Sequence, residues 1–251
     1  PFSLINALED RKLRNYWASS GATSLLPKFV DDMEMKMEYF DHCFIEGDTL
    51  ETSDVVNGGA ELFLYQSGYL TIKGYDDGVY ILGFPNFEVR KALYRVVVPA
   101  LTMKSNSEVV SAQSFLRKMM QDGNTAEAKK ALKALIADVP YSNKKMASMD
   151  MEERYRLIMS TIFRALGFRV EVERMLATGR IDMIVEVPSF IYVLELKLSN
   201  NGGISAAESQ IKEKSYTEPF KADKRKVIAL AVELDETGKG LIDWKEVDES
   251  L

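Results

Sequence analysis

The chain has 251 residues, 46% of them hydrophobic, and its 38 acidic against 32 basic side chains give a formal net charge of -6. That length buries one large or two modest cores, and without a long apolar run or a signal-like leader neither a membrane nor a secretory route is expected, which leaves the cytoplasm. Cys43 is the only cysteine, so an intrachain disulfide is excluded, and the acidic balance runs against a dedicated DNA-binding surface.

In chain order, Leu4–Asn15 and Thr23–Phe40 read as helices, followed by strands over Leu62–Lys73 and Val79–Phe84 around the turn signal Asp76-Asp77-Gly78. Asn86–Val98, Ser107–Met120 and Thr125–Ile136 read as helices again, so residues 1–145 are mixed α and β, mainly helical, without internal repeats. The polar stretch Pro140–Asp150, with Ser-Asn-Lys-Lys at its centre, is the expected boundary, and residues 146–251 form the second domain. No Gly-x-x-x-x-Gly-Lys-Ser/Thr occurs, so no phosphate loop is expected; Gly238-Lys239-Gly240 is a poor imitation. Opening at Pro1 rather than methionine, the sequence reads as trimmed from a longer protein, and any ATP site belongs upstream.

Beyond residue 150 the pattern sharpens. Met151–Leu166 carries Tyr155, Ile158, Met159, Ile162, Phe163 and Leu166 at helical spacing and ends at Gly167. Phe168–Met175 is the first strand. Ser205-Ala206-Ala207-Glu208 has the form of a capping box opening a helix through Gln210, Ile211 and Lys214, and Lys226–Leu234 is an apolar strand. Between them lie two hydrophobic runs, Gly179–Val187 and Tyr192–Leu198, that contain charges core packing does not require. If they form a hairpin about Pro188-Ser189, paired residue numbers add up to 377, and Asp182 faces Glu195. Opposed side chains on antiparallel strands have Cβ atoms about 5 Å apart, so two carboxylates there repel unless a cation neutralises them. Lys197, two residues beyond Glu195, projects from the same face.

Metal-assisted hydrolysis uses such an arrangement. Two carboxylates supply hard oxygen ligands to Mg²⁺ or Mn²⁺, the ion polarises a phosphoryl oxygen and acidifies water, and Lys197 orients or deprotonates the water and offsets charge on the phosphate. The residues fit another arrangement too: Asp182 and Glu195 on the polar face of a half-buried sheet, with Lys197 merely paired to Glu195. Lys212, Lys214, Lys221, Lys224, Arg225 and Lys226 offer either a local basic patch or a solvated loop edge. Asn200-Asn201-Gly202-Gly203 reads as a flexible connector rather than a phosphate site, Cys43 as buried beside an exposed His42, and Trp17 and Trp244 as core anchors.

The Asp182, Glu195 and Lys197 triplet and its helix, three-strand, helix, strand context resemble the PD-(D/E)XK nuclease superfamily. The resemblance implies an α/β, restriction-endonuclease-like αβββαβ core with a central mixed sheet flanked by helices. It also implies a metal-dependent nuclease in which Asp182, Glu195 and the Leu196 carbonyl hold Mg²⁺ or Mn²⁺ and Lys197 serves the water. By the same resemblance Glu152, with Glu153 as its alternative, and Gln210 support the site. Relatives of the recombination and exonuclease type carry a tyrosine four residues after that glutamine; Lys214 stands there, and Tyr216 comes later. Gln210–Tyr216 and Ile242-Asp243-Trp244-Lys245 look like proteins of gut anaerobes that join an AAA-ATPase-like domain to such a nuclease domain, and Pro1-Phe2-Ser3-Leu4, Asn15-Tyr16-Trp17 and Leu64–Ile72 look like the end of that ATPase-like domain, which makes residues 1–145 its C-terminal portion without the phosphate loop. The expected partners are thus nucleic acid, DNA foremost, and the upstream ATPase-like domain. The alternative is a nuclease-fold module without catalysis, coupling that domain to a partner.

Overall fold

The computed structural model describes residue 9 and residues 39–52, 58–102, 104–137 and 149–248. The two helices expected before residue 39, Trp17 and most of the 140–150 boundary lie outside the described residues. The chain divides into two compact units, Pro1–Val97 and Val98–Leu251.

In the first unit β1 (Cys43–Glu46), β2 (Thr71–Asp76) and β3 (Val79–Gly83) form an antiparallel sheet in the order β1-β3-β2, with helices α1 (Gly47–Leu50) and α2 (Gly59–Gln66). Asp77 and Gly78 both take positive φ, 41° and 85°, which is what a two-residue hairpin turn between β2 and β3 requires. The strand expected from Leu62 is corrected: Leu62, Phe63 and Leu64 are buried on α2, and the strand starts only at Thr71. A short continuous apolar run carries no periodicity that separates helix from strand. Cys43 is buried with its thiol pushed up to about 12, by burial first and by Glu61 second, and His42 is exposed.

α3 (Phe87–Thr102) runs across the division. The second unit continues with α4 (Asn106–Gln121), α5 (Thr125–Ile136) and α6 (Met151–Ala165). A five-stranded sheet follows in the order β4-β5-β6-β7-β8, built from β4 (Arg169–Leu176), β5 (Gly179–Glu186), β6 (Phe190–Leu198), β7 (Lys226–Leu234) and β8 (Leu241–Val247). Helix α7 (Gly203–Lys214) connects β6 to its parallel neighbour β7; every other neighbouring pair is antiparallel. A mixed sheet with helices before and within the strand sequence is the restriction-endonuclease-like fold expected above.

Asp150 caps α6 by accepting from the backbone N–H groups of Glu152 and Glu153. α7 starts differently from expectation. Its N-cap is Gly202 in the left-handed conformation, Ser205 lies inside the first turn, and Glu208 pairs outward with Lys212 and Lys245, so the Ser205–Glu208 box is not used. The anionic place at that helix end is taken by Glu233, which accepts from the Ile204 N–H, and a Cβ on Gly203 would collide with the same carboxylate. The 199–203 segment is therefore a defined 3-10 turn and helix start rather than a flexible connector.

α4 and α5 belong to the core of this unit. The Tyr192 hydroxyl donates to the Met120 carbonyl at 2.6 Å, Trp244 Nε1 donates to the Thr125 carbonyl at 3.0 Å, and Lys129 pairs with Asp243 at 2.6 Å. Trp244 is buried, the core anchor expected of it.

Candidate active site

The β5–β6 register is Met183↔Leu194, Ile184↔Val193, Val185↔Tyr192 and Glu186↔Ile191, the spacing deduced from the numbering. The ladder stops one pair short of Asp182 and Glu195. There the Asp182 Oδ2 accepts from the Leu196 backbone N–H at 2.9 Å, so a side chain replaces a ladder bond where the strands part. Asp182 and Glu195 are both buried, Glu195 completely. Glu195 Oε1 receives Lys197 Nζ at 2.8 Å, and its other oxygen, Oε2, is buried without a hydrogen-bond partner.

Electrostatics follow from this burial. The Glu195 carboxyl is raised to about 8, first by desolvation and then by Asp182, with Lys197 acting the other way. The Lys197 ammonium is desolvated too, which lowers its pKa, but Glu195, Asp182 and Glu152 outweigh this and raise it overall. Glu152 is raised by burial and by Asp182. That mutual influence brings Glu152 into the group, whereas Glu153 is exposed.

Gln210 reaches the group through a neighbour. Its Nε2 donates to the Tyr216 hydroxyl at 3.0 Å, and that hydroxyl donates to the Arg180 carbonyl at 2.7 Å. The Tyr216 hydroxyl is itself raised, by burial first, with Glu195 and Asp182 contributing and Gln210 opposing. Tyr216 is two residues later than the expected spacing. Ser215 at the end of α7 takes a left-handed conformation, φ 50°, and turns the chain so that the Tyr216 N–H returns to the Ile211 carbonyl.

Sequence reasoning also missed Arg156 and Glu173. The Arg156 guanidinium contacts Glu152 at 3.2 Å, Asp182 at 3.5 Å and Glu173 at 3.0 Å. Its signal was present in the helix, because residues four apart share a face and Arg156 follows Glu152 by four.

Half of the basic run is neutralised. Arg225 pairs with both Glu186 and Asp223 at 2.8 Å, Lys221 pairs with Glu218, and Lys212 pairs with Glu208. Lys214, Lys224 and Lys226 make no ion pair among the described residues.

Residues 150–244 match the family model of the PD-(D/E)XK nuclease superfamily. The matched stretch begins at the α6 cap and ends in β8. The chain is also similar along its whole length, 25% identical over 265 residues, to an uncharacterized protein in the vnfD 5' region of Azotobacter chroococcum mcd 1, of which it spans 49%. No solved structure matches the chain significantly. Superfamily members generally use divalent metal ions.

Proposed function

We propose that this chain is a metal-dependent nuclease that hydrolyses phosphodiester bonds of nucleic acid, DNA foremost, at the Asp182–Glu195–Lys197 group. The observation that carries the reading is the fully buried Glu195, whose Oε2 has no partner and whose ionisation is opposed by burial and by Asp182. Buried carboxylates in an apolar sheet are expensive unless a cation compensates them. Among the described residues no three His, Cys, Asp or Glu side chains are grouped to hold an ion by themselves; the set proposed is two carboxylates, Asp182 and Glu195, completed by the Leu196 carbonyl.

A divalent ion, Mg²⁺ or Mn²⁺, would supply Lewis acidity toward a phosphoryl oxygen and acidify a water. The protein's own groups do the rest. Lys197, its ammonium favoured by three carboxylates, keeps its proton at neutral pH and so acts as a donor that orients the water and offsets charge growing on the phosphate. Asp182 holds the Leu196 backbone in place through its N–H. Glu152 supports the group from α6, and Gln210 does so through Tyr216.

A second reading has its own observation: Asp182 already has Arg156 and Glu195 already has Lys197. Such partial neutralisation suits a nuclease-fold module without catalysis, coupled to an upstream ATPase-like domain. Incubating the protein with Mn²⁺ and a panel of linear, circular, duplex and single-stranded DNA and RNA separates the two. We expect cleavage by the wild type and none by Lys197→Ala, whose fold should persist because the side chain is only partly buried. Cleavage retained in Lys197→Ala sinks the mechanism, and inert wild-type protein with no metal uptake favours the module.

A further inference from the structure

Three non-glycine residues take left-handed backbone conformations, Asp77, Glu173 and Ser215, among the described residues. Asp77 sits in a hairpin turn and Ser215 at a helix end, where that conformation is ordinary. Glu173, at φ 53°, lies inside β4 with paired residues on both sides, Val172↔Met183 and Arg174↔Ile181. The one position missing from this ladder is Glu173 itself, and by the same register it stands opposite Asp182. No turn or chain reversal requires the strain. Strained residues persist where the surroundings over-determine them, and they collect at functional sites.

What holds Glu173 is cationic. Its Oε1 receives Arg156 Nη1 and Arg180 Nη1, each at 3.0 Å. The second terminal nitrogen of Arg156, Nη2, is shared between Glu152 at 3.2 Å and Asp182 Oδ1 at 3.5 Å. Arg156 is buried and its Nε lacks a partner, so the guanidinium is positioned by its three carboxylates. Asp182 is thus gripped at both oxygens, Oδ1 by Arg156 and Oδ2 by the Leu196 N–H.

We infer that Glu173 is a positioning residue: the strained β4 backbone aims its carboxylate at Arg156, and Arg156 in turn fixes the orientation of Asp182 and Glu152 for a divalent ion. The inference rests on the metal-site reading above. Without the Glu173 charge the guanidinium has one anchor fewer, and it closes on Asp182 as a competitor of the ion instead of standing off at ion-pair distance. Partners of this kind, one step removed from the metal, typically change its affinity about 10- to 100-fold.

Calorimetric titration of the full chain with MnCl₂, with thermal melting of the metal-free protein alongside, tests this in four proteins: wild type, Glu173→Gln, Glu173→Gly and Asp182→Asn. We expect Mn²⁺ binding in the wild type, none in Asp182→Asn, and a loss of about 10- to 100-fold in both Glu173 variants. Glycine accepts the left-handed backbone without strain, so Glu173→Gly should melt at or above the wild-type temperature while binding the metal worse. A merely structural residue would lose stability and leave affinity untouched. Wild-type affinity in either Glu173 variant overturns the inference alone. A wild type that takes up no Mn²⁺ overturns the metal-site reading and this inference with it.

Discussion

Burial sets the behaviour of Glu195. Its carboxyl rises from 4.5 to about 8, desolvation being the largest cause and Asp182 the next. A folded-state pKa above the unfolded one means that the native protein holds the proton more tightly. The stability this contributes is complete below about 4.5 and is lost as pH rises through about 8. In EDTA the melting temperature of the wild type should therefore fall across that window, and Glu195→Gln, neutral at every pH, should fall less. Parallel melting curves for the two proteins would refute the assignment. Mn²⁺ needs the carboxylate, so it should restore stability more at high pH than at low. Residues of this kind were legible from numbering alone, because a hairpin register is arithmetic and the 377 sum holds in the structure. The same arithmetic on the β4–β5 hairpin puts Glu173 opposite Asp182. Yet an acid in a half-exposed strand gives no signal of its own, and a left-handed φ leaves no mark in the residue type when the residue is not glycine.

Among the elements, those with strong periodicity or punctuation were readable and those relying on distant partners were not. β7 runs over Lys226–Leu234 as expected, and α6 differs from expectation by one residue at its end. The apolar run of α2 fits helix and strand alike, because its three consecutive buried residues carry no periodicity. The α4–α5 hairpin was found, but its attachment was not: nothing local announces that Tyr192 and Trp244 bond to backbone carbonyls at 120 and 125. Gly123, at the α4–α5 turn with φ 72°, leaves no room for a Cβ beside the Phe190 ring, a second sign of that close seat. We propose on these contacts that the folding unit starts near residue 98, where the second compact unit begins, and takes in the hairpin ahead of residue 146. Trp244→Ala should cost about 3–5 kcal/mol, the range for emptying a buried aromatic site, and chemical denaturation of the full chain measures it. Expressed separately, 98–251 should unfold cooperatively while 146–251 should not; cooperative unfolding of the shorter piece at equal stability would show the hairpin to be dispensable.

At the scale of the whole molecule the charge distribution bears on how an acidic chain would meet the proposed nucleic-acid substrate. Residues 1–97 contain 15 acids and nine Lys or Arg, a balance of -6, while the site-bearing residues 98–251 contain 23 of each. The acidic surplus thus sits entirely in the first unit, and the unit that carries the proposed site is neutral. Within the basic run of this unit Lys212, Lys221 and Arg225 are spent on internal pairs, and Lys214, Lys224 and Lys226 of that run have no acidic partner among the described residues. Each phosphate neutralised by a cation contributes about 0.9 to the slope of log affinity against log salt on duplex DNA. Three such lysines predict a slope of roughly -3, shallow beside the value near -10 of a strongly basic repressor. Binding measured by fluorescence anisotropy on a catalytically silent Asp182→Asn background, across a salt series, should return that slope. Lys224→Ala with Lys226→Ala should reduce it by about 2 without altering the melting temperature, since neither side chain is buried or paired. A steep slope that survives the double substitution would place the phosphate contacts on cations outside the 212–226 run, with the exposed Arg117 and Lys118 of the same unit the first to substitute.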